Sequence, residues 1–546
     1  MNQLNKWVNV KSFWFTFIGL MLIKYGYYGF EYFPVLDDWI QYGGYPFYPD
    51  IFQDVILEMK TYTARPLASL SDPYIWGQFW GMMGIPFLII TLLHAASGYF
   101  LYKVLAAQKL FVGMPFLVVY GLLPLGSEAT YWISASSRIV VGVFWMALAL
   151  FLLSLYVDNG KKGYLWAFFA THLFSLGYYE QVLVLSCSCA VLLLLGNWKR
   201  LRSKWVLGIP FFNFGVIVLY YRVFGSMGNV AQRGQMVKSD YISHFMLVYD
   251  KVTDIWGRVQ IPLLSNGLRR GLEVLVENRS YLFLALIVCI SAAAAVFSLK
   301  KVWTSAPGAR HEPKSPVKMH SVQIVLGGLL FWIPFAPNFL LETVWICNRN
   351  AFTSFIGLGL AVEGVLGLVF RGKIGTYLKA AGVLVVTFVF LIVNVSEITD
   401  YKRASEIDRE ICTNILEAVD DPAFFEGQRE VIVLNAQSAY MEQNSYHNDH
   451  IHNITSSDWA LTGGLRAVAQ NVRIKTLIMQ CYPGSGIKMD PQAWDTAIIL
   501  GIEEDLSVVP LSVKQKTDGE VLLSETTGEH FGKALLDNKG RYVFGR

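Results

Sequence analysis

Eleven mostly apolar runs, each near the length of a bilayer crossing, fill the first 396 of this chain's 546 residues. They lie near 12–33, 76–102, 111–124, 138–157, 164–178, 181–196, 205–224, 281–299, 321–336, 351–370 and 376–396. A helix that crosses the hydrocarbon core needs about 20 apolar residues. The third, fifth and ninth runs are short, so their boundaries are the least defined. Only 16% of residues are charged, against about 25% in soluble domains, and mean hydropathy is +0.41. These figures exclude a soluble multidomain enzyme and a disordered chain. They predict a polytopic α-helical membrane protein of about eleven transmembrane helices. The first run is too long for a removable signal segment and lacks a small-residue cleavage site, so it is expected to be retained.

The net charge of +4 is too small to suggest nucleic acid as a partner, but it is unevenly placed. Residues 397–546 hold 14 basic and 23 acidic residues, a balance of −9, which leaves +13 for residues 1–396. Loop by loop, the segments 1–11, 103–110, 158–163, 197–204, 300–320 and 371–375 carry 17 basic and 2 acidic residues. The alternate loops carry 10 basic and 14 acidic residues. By the positive-inside rule, the N-terminus is expected in the cytoplasm and the tail outside it.

Polar side chains collect in the loops assigned to the outer face. Asp37 and Asp38 follow the first run. Residues 50–60 place Ile51, Phe52, Val55, Ile56 and Met59 on one face of an expected interfacial helix. Arg65-Pro66-Leu67 precedes the second run, and Glu128, Tyr131-Trp132, Arg138, Tyr178-Tyr179-Glu180-Gln181 and Asn348-Arg349-Asn350 come later. Charges and aromatics at helix ends are ordinarily interfacial anchors. Glu180 is harder to explain that way, because it interrupts an apolar stretch from 164 to 196 and needs a partner or a wet cavity. Lys24 falls in the outer half of the first run, where it either snorkels outward or reaches a lipid phosphate.

Such groups suit the transfer of a sugar from a lipid phosphate. A carboxylate takes the acceptor hydroxyl proton, and cations stabilise the departing phosphate. The planar fork of Arg matches phosphate oxygens. Asp37 and Asp38 supply the first part, and Lys24, Arg65, Arg138 and Arg349, with Glu128 and Glu180 beside them, supply the second. No nucleotide-binding motif stands in a context that gives it meaning, which fits a donor already held in the membrane.

The Asp-Asp pair in the first external loop, the interfacial helix after it, the large odd number of spans and the C-terminal soluble domain resemble the GT-C glycosyltransferases. The run from Asp37-Asp38 through Arg65-Pro66-Leu67 is most similar to bacterial membrane glucosyltransferases that modify surface polysaccharides. The resemblance implies a transmembrane catalytic domain over 1–396, a polyprenyl-phosphate sugar donor, and a surface glycan or lipid acceptor on the extracytoplasmic face of the plasma membrane. It implies an inverting displacement with Asp37 or Asp38 as base, Asp37 being preferred. It requires no cofactor, although Asp37, Asp38 and Glu180 are hard oxygen ligands that a divalent metal would accept. A transporter or flippase of lipid-linked sugars or polysaccharide is the alternative. Transporters commonly show repeated halves and polar, broken helices at mid-membrane, and no internal repeat is found here. A scaffold whose exported domain binds polysaccharide is a third reading, and it leaves Asp37-Asp38 and Glu180 unexplained.

Residues 397–546 read as a soluble extracytoplasmic α/β domain. Helices are expected at 404–419 and 457–470, with strands near 430–434, 472–479 and 496–502. His447-Asn-Asp-His450-Ile-His452 invites a metal reading, but without a helical His pair or a nearby Cys a solvated loop is preferred. Residues 241–259 are expected to form a second interfacial helix, and 300–320 a solvated linker. Of six cysteines, Cys187 and Cys189 read as packing residues. Cys412 and Cys481 could pair if the tail is exported.

Overall fold

The structure, a computed structural model, describes residues 2–225, 236–238, 240–299, 316–344, 346–435, 453–479, 486–517 and 519–545. It divides into two compact units: Met1–Glu31, Met59–Leu70 and Gly84–Ile398 form the first, and Tyr32–Glu58, Ser71–Met83 and Thr399–Arg546 form the second.

The first unit is helical. The helices used below are α1 (Asn2–Tyr25), α2 (Gly84–Ala107), α3 (Met114–Leu122), α4 (Ser127–Thr130), α5 (Ile133–Asn159), α6 (Lys162–Leu176), α7 (Glu180–Gly196) and α8 (Gly208–Phe224). They continue as α9 (Tyr241–Asp254), α10 (Gln260–Glu277), α11 (Tyr281–Leu299), α12 (Pro316–Trp332), α13 (Asn348–Ala351), α14 (Phe355–Val369) and α15 (Gly372–Ala418).

Every apolar run of the sequence contains helix, but among the described residues only seven helices are long and apolar enough to cross a membrane. These are α2, α5, α8 with its preceding turn, α11, α12 with its following turn, α13–α14 and α15. The expected count of eleven is therefore not reproduced. The helix α1 has the length but carries Lys6, Lys11 and Lys24. The helices α3, α6 and α7 have 9, 15 and 17 residues. At 1.5 Å per residue these reach roughly 14, 23 and 26 Å, short of a core of about 30 Å. Pro124 ends α3 early by forcing Leu123 out of the helical conformation, to a ψ of 117°.

Packing inside this unit depends on close helix contact at glycine. A Cβ on Gly327 of α12 would lie 2.6 Å from the Ala361 nitrogen, and one on Gly357 of α14 would lie 2.3 Å from the Phe331 nitrogen. Small residues let backbones meet where lipid offers no hydrophobic drive between helices. Glu363 of α14 is buried and accepts from Lys379 Nζ at 2.5 Å and from the Gly113 and Phe116 amides at 2.9 and 3.3 Å. It thereby satisfies orphan donors at the start of α3. Helix is present over the expected 241–259, as α9 and a following turn to Val259, with Val248 and Val252 packed on Phe335 and Ile242 exposed.

Among the described residues, the second unit is built on an eight-stranded mixed sheet. Its strands are β1 (Val431–Leu434), β2 (Thr476–Met479), β3 (Gly486–Ile487), β4 (Ile498–Ile502), β5 (Val508–Lys516), β6 (Glu520–Glu525), β7 (His530–Leu536) and β8 (Tyr542–Gly545). Their order is β2-β1-β4-β5-β6-β7-β8-β3. The pairs β1–β2 and β1–β4 are parallel and the remaining pairs are antiparallel. The helix α16 (Asp458–Ala469) makes the crossover from β1 to β2. All four residues of β1 are apolar because both sheet faces are covered. Val431 and Val433 pack with Trp39, Ile411, Ile415 and Leu461, while Ile432 and Leu434 pack with Trp494, Val521 and Phe531. The expected α/β character holds, and the antiparallel run β5–β8 adds to it.

The domain division expected at 397 falls beside the observed change at Ile398, within α15. The sequence reading does not foresee that residues 32–58 and 71–83 join the C-terminal unit. Trp39 is a core residue there, and Gly463 of α16 is so close to Ile40 that an added Cβ would lie 2.4 Å from its Cα. The helix expected at 50–60 is present as Ile51–Glu58 but is π-wound. Wider winding breaks the expected apolar face: Val55 and Ile56 are buried, whereas Phe52 and Met59 are exposed.

Candidate functional site

In the first unit, loop residues far apart in sequence meet where α5, α7 and α13 begin. Arg65 is placed by its backbone: the Leu67 amide donates to the Gly177 carbonyl at 3.1 Å, and the Ser69 amide to the Arg65 carbonyl at 2.8 Å. Its guanidinium then meets Glu180, with Nε 3.1 Å from Oε1 and Nη2 3.2 Å from Oε2. Glu180 is the first residue of α7, where a helix N-terminus favours negative charge. The same guanidinium lies over the Tyr179 ring, 4.6 Å from its centroid.

A second pair lies alongside. Asn350 Oδ1 accepts the Cys347 amide at 2.8 Å and fixes the start of α13, while Asn350 Nδ2 donates to the Tyr179 hydroxyl at 3.1 Å. Arg349 donates from its backbone to Glu128 Oε2 at 3.0 Å and from Nη1 to Oε1 at 3.3 Å, and it lies over the Trp132 ring at 5.3 Å. Tyr179 thus joins two Arg–Glu pairs, and the four charges sum to zero. Burial raises the pKa of its phenol, while Arg349 and Arg65 both oppose the shift.

The four residues of α4 tie further charge into this region. Glu128 holds Arg349, and Ser127 Oγ donates to Glu397 Oε2 at 3.0 Å. Thr130 Oγ1 accepts from Lys24 Nζ at 3.1 Å and bonds Tyr25 Oη at 2.5 Å. Lys24 is buried. It therefore does not snorkel outward as expected, because a hydroxyl inside the bundle takes its ammonium. Arg138 lies half-buried near the start of α5. Of the predicted binding residues, Arg65, Glu128, Glu180 and Arg349 are linked by named contacts through Tyr179 and Asn350, and Lys24 reaches them through α4.

Sequence reasoning missed Glu397 and Glu363. Each is an acidic residue within or at the end of an apolar run, so the rule that singled out Glu180 applied to both.

The acidic pair belongs to the second unit. Leu36 precedes it with a φ of 45°, a costly conformation for a branched residue, and Asp37–Ile40 forms one helical turn. Asp38 is fully buried, and its Oδ2 accepts from the Tyr32 hydroxyl at 2.5 Å and the Val35 amide at 3.2 Å. Asp37 is half-buried. Trp39 Nε1 donates to Asp408 Oδ2 at 3.2 Å, and Asp408 Oδ1 accepts the Ile454 amide at 3.0 Å. This anchors the turn on the core of its own unit.

Among the described residues, no group of three or more His, Cys, Asp or Glu side chains is placed to hold a metal ion. The His447–His452 segment lies outside the described residues, as does Cys481, the candidate partner of Cys412, which is buried and free among the described residues. Neither the models of known protein families nor the curated protein sequences contain a match to this chain.

Proposed function

We propose that this chain is a membrane glycosyltransferase that moves a sugar from a polyprenyl-phosphate donor to a surface glycan or lipid acceptor. The Arg65–Glu180 pair carries the reading. Its guanidinium keeps Nη1 without a partner among the described residues, and both side chains are partly open, at 26% and 44% exposure. A donor phosphate can displace or join Glu180 on such a fork. Arg349, more tightly held by Glu128, stands beside it and contributes positive potential. Arg138 is assigned a supporting role at the donor, whereas Lys24, buried on Thr130, is assigned to the interior of the bundle.

In this proposal Asp37 is the base of an inverting displacement, and buried Asp38 holds its turn in place through Tyr32 and Val35. No cofactor is required, and a divalent metal remains compatible with the carboxylates. The proposed orientation has the N-terminus in the cytoplasm and residues 399–546 outside the plasma membrane, as the loop charges suggest.

The test uses the purified full chain in liposomes with a synthetic polyprenyl phosphosugar. Asp37→Asn should lower kcat about 10²-fold or more, and Arg65→Gln should raise KM for the donor, with folding unchanged in both. Normal transfer by Asp37→Asn and Asp38→Asn alike would refute the assigned base. Movement of the intact lipid-linked sugar across the bilayer, without bond cleavage, would replace this reading with the transporter.

A further inference from the structure

The helices α6 and α8 leave an aromatic groove at the opposite end of the first unit. They run parallel: Asn213 Nδ2 donates to the Phe169 carbonyl at 3.0 Å and bonds His172 Nδ1 at 3.1 Å, while further along Leu176 and Ile217 share one apolar cluster. Between their N-terminal turns lies a groove of about 310 Å³ lined by Leu165, Trp166, Phe169, Trp205, Gly208 and Phe212, among others. Trp166 and Trp205 are 67% and 62% exposed. A Cβ built on Gly208 meets nothing within 4 Å, so the groove is open at that residue.

Cations crowd the two segments that lead into these helices. Arg200 is paired with Asp158 at 2.5 Å, Arg202 donates to the Asn159 carbonyl at 3.2 Å, and Lys204 donates to the Trp198 carbonyl. Lys161, Lys162 and Lys199 are exposed and have no partner among the described residues. Two parallel helix N-termini add partial positive charge at the same end. The helix α5 separates this end from the Arg–Glu network, because Trp132 precedes it and Asn159 ends it. Its 27 residues span roughly 40 Å.

We infer that this groove holds an anionic phospholipid of the surrounding bilayer, its phosphate among Lys161, Lys162 and Lys199 and an acyl chain against Trp166, Trp205 and Phe212. Charge complementarity selects the occupant. An apolar groove alone accepts any lipid chain, whereas three unpaired lysines in the segments that lead into an aromatic slot favour a negative headgroup. Its distance from Arg65 makes it a site separate from the proposed donor site, and the inference does not depend on the glycosyltransferase reading.

Native mass spectrometry of the full chain in detergent, titrated with phosphatidylglycerol and phosphatidylcholine of identical chains, tests this. The wild-type chain should retain phosphatidylglycerol about tenfold more strongly. The triple variant Lys161→Gln, Lys162→Gln, Lys199→Gln should lose that preference while still binding phosphatidylcholine. Gly208→Leu fills the groove without touching a charge and should lower retention of both lipids. Equal retention by the wild-type chain, a preference surviving the triple variant, or unchanged retention by Gly208→Leu would each overturn the inference. So would a polyprenyl monophosphate that displaces phosphatidylglycerol from the wild-type chain but not from Gly208→Leu.

Discussion

The two Arg–Glu pairs look equivalent in sequence, and their separations are nearly equal at 3.1 and 3.3 Å. Coulomb's law therefore does not distinguish them: at an effective dielectric of 20 either attraction is about 5 kcal/mol, falling to about 1 kcal/mol in water. Solvent does distinguish them. The Glu128 side chain is 2% exposed and that of Arg349 24%, whereas Glu180 is 44% exposed. Removing one member of a buried pair leaves an uncompensated charge and costs about 3–5 kcal/mol; an open pair contributes about 0.2–1 kcal/mol. We therefore predict that Glu128→Gln destabilises the protein by about 3 kcal/mol and Glu180→Gln by less than about 1 kcal/mol. Double-mutant cycles with Arg349→Gln and Arg65→Gln should give coupling energies of about 2–3 and 0.5–1 kcal/mol. Equilibrium unfolding in mixed micelles measures all the variants on one scale. Coupling as large at Arg65–Glu180 as at Arg349–Glu128 would refute the argument that the first pair is free to exchange its carboxylate for a phosphate.

Three further outcomes follow from the packing. Glu363→Ala strands Lys379 and two amides, and Lys379→Met strands the buried Glu363 carboxylate; each should cost about 3–5 kcal/mol, and a loss below about 1 kcal/mol for either in unfolding experiments would show that the two are not held as a buried ion pair. Gly357→Val should force α12 and α14 apart and lower stability by about 1–3 kcal/mol or more, with no comparable loss for Gly328→Val, where an added Cβ meets nothing within 4 Å. Arg429, 2.8 Å from Asp421, holds that carboxyl below its usual pKa. The stabilisation is thus present above the ordinary carboxylate pKa and lost as pH falls through the lowered one. In Arg429→Gln the Asp421 titration followed by NMR should move upward, and an unmoved midpoint would show that Arg429 is not the cause.

The legible part of this fold was the part encoded by local pattern. Apolar run lengths located the helices of the first unit, and the strand-like runs at 430–434 and 496–502 became β1 and β4. The strands β5–β8 escaped notice because Pro510, Lys514, Lys516 and Lys533 interrupt the apolar signal in half-covered strands. The candidate site was legible residue by residue, since Arg65, Glu128, Glu180 and Arg349 were each conspicuous at helix ends. Their pairing was not, because nothing local specifies that Glu128 faces Arg349, 221 positions away. Lys24 shows the same limit: its position in the span could be read, but its inward turn depends on Thr130, which α4 supplies.

Composition and periodicity settled that the chain is predominantly helical, apolar over its first 396 residues and followed by an acidic α/β tail. These are properties of neighbouring residues, and burial of apolar surface acts on them wherever the chain goes. Tertiary structure decided how many helices have the length to span a membrane, which carboxylate meets which guanidinium, and that Asp37 and Asp38 belong with the C-terminal unit. Those outcomes rest on contacts between distant segments. Pro124 cuts one helix short, Gly463 admits the backbone of Ile40, and Trp39 finds Asp408 across 369 residues of chain.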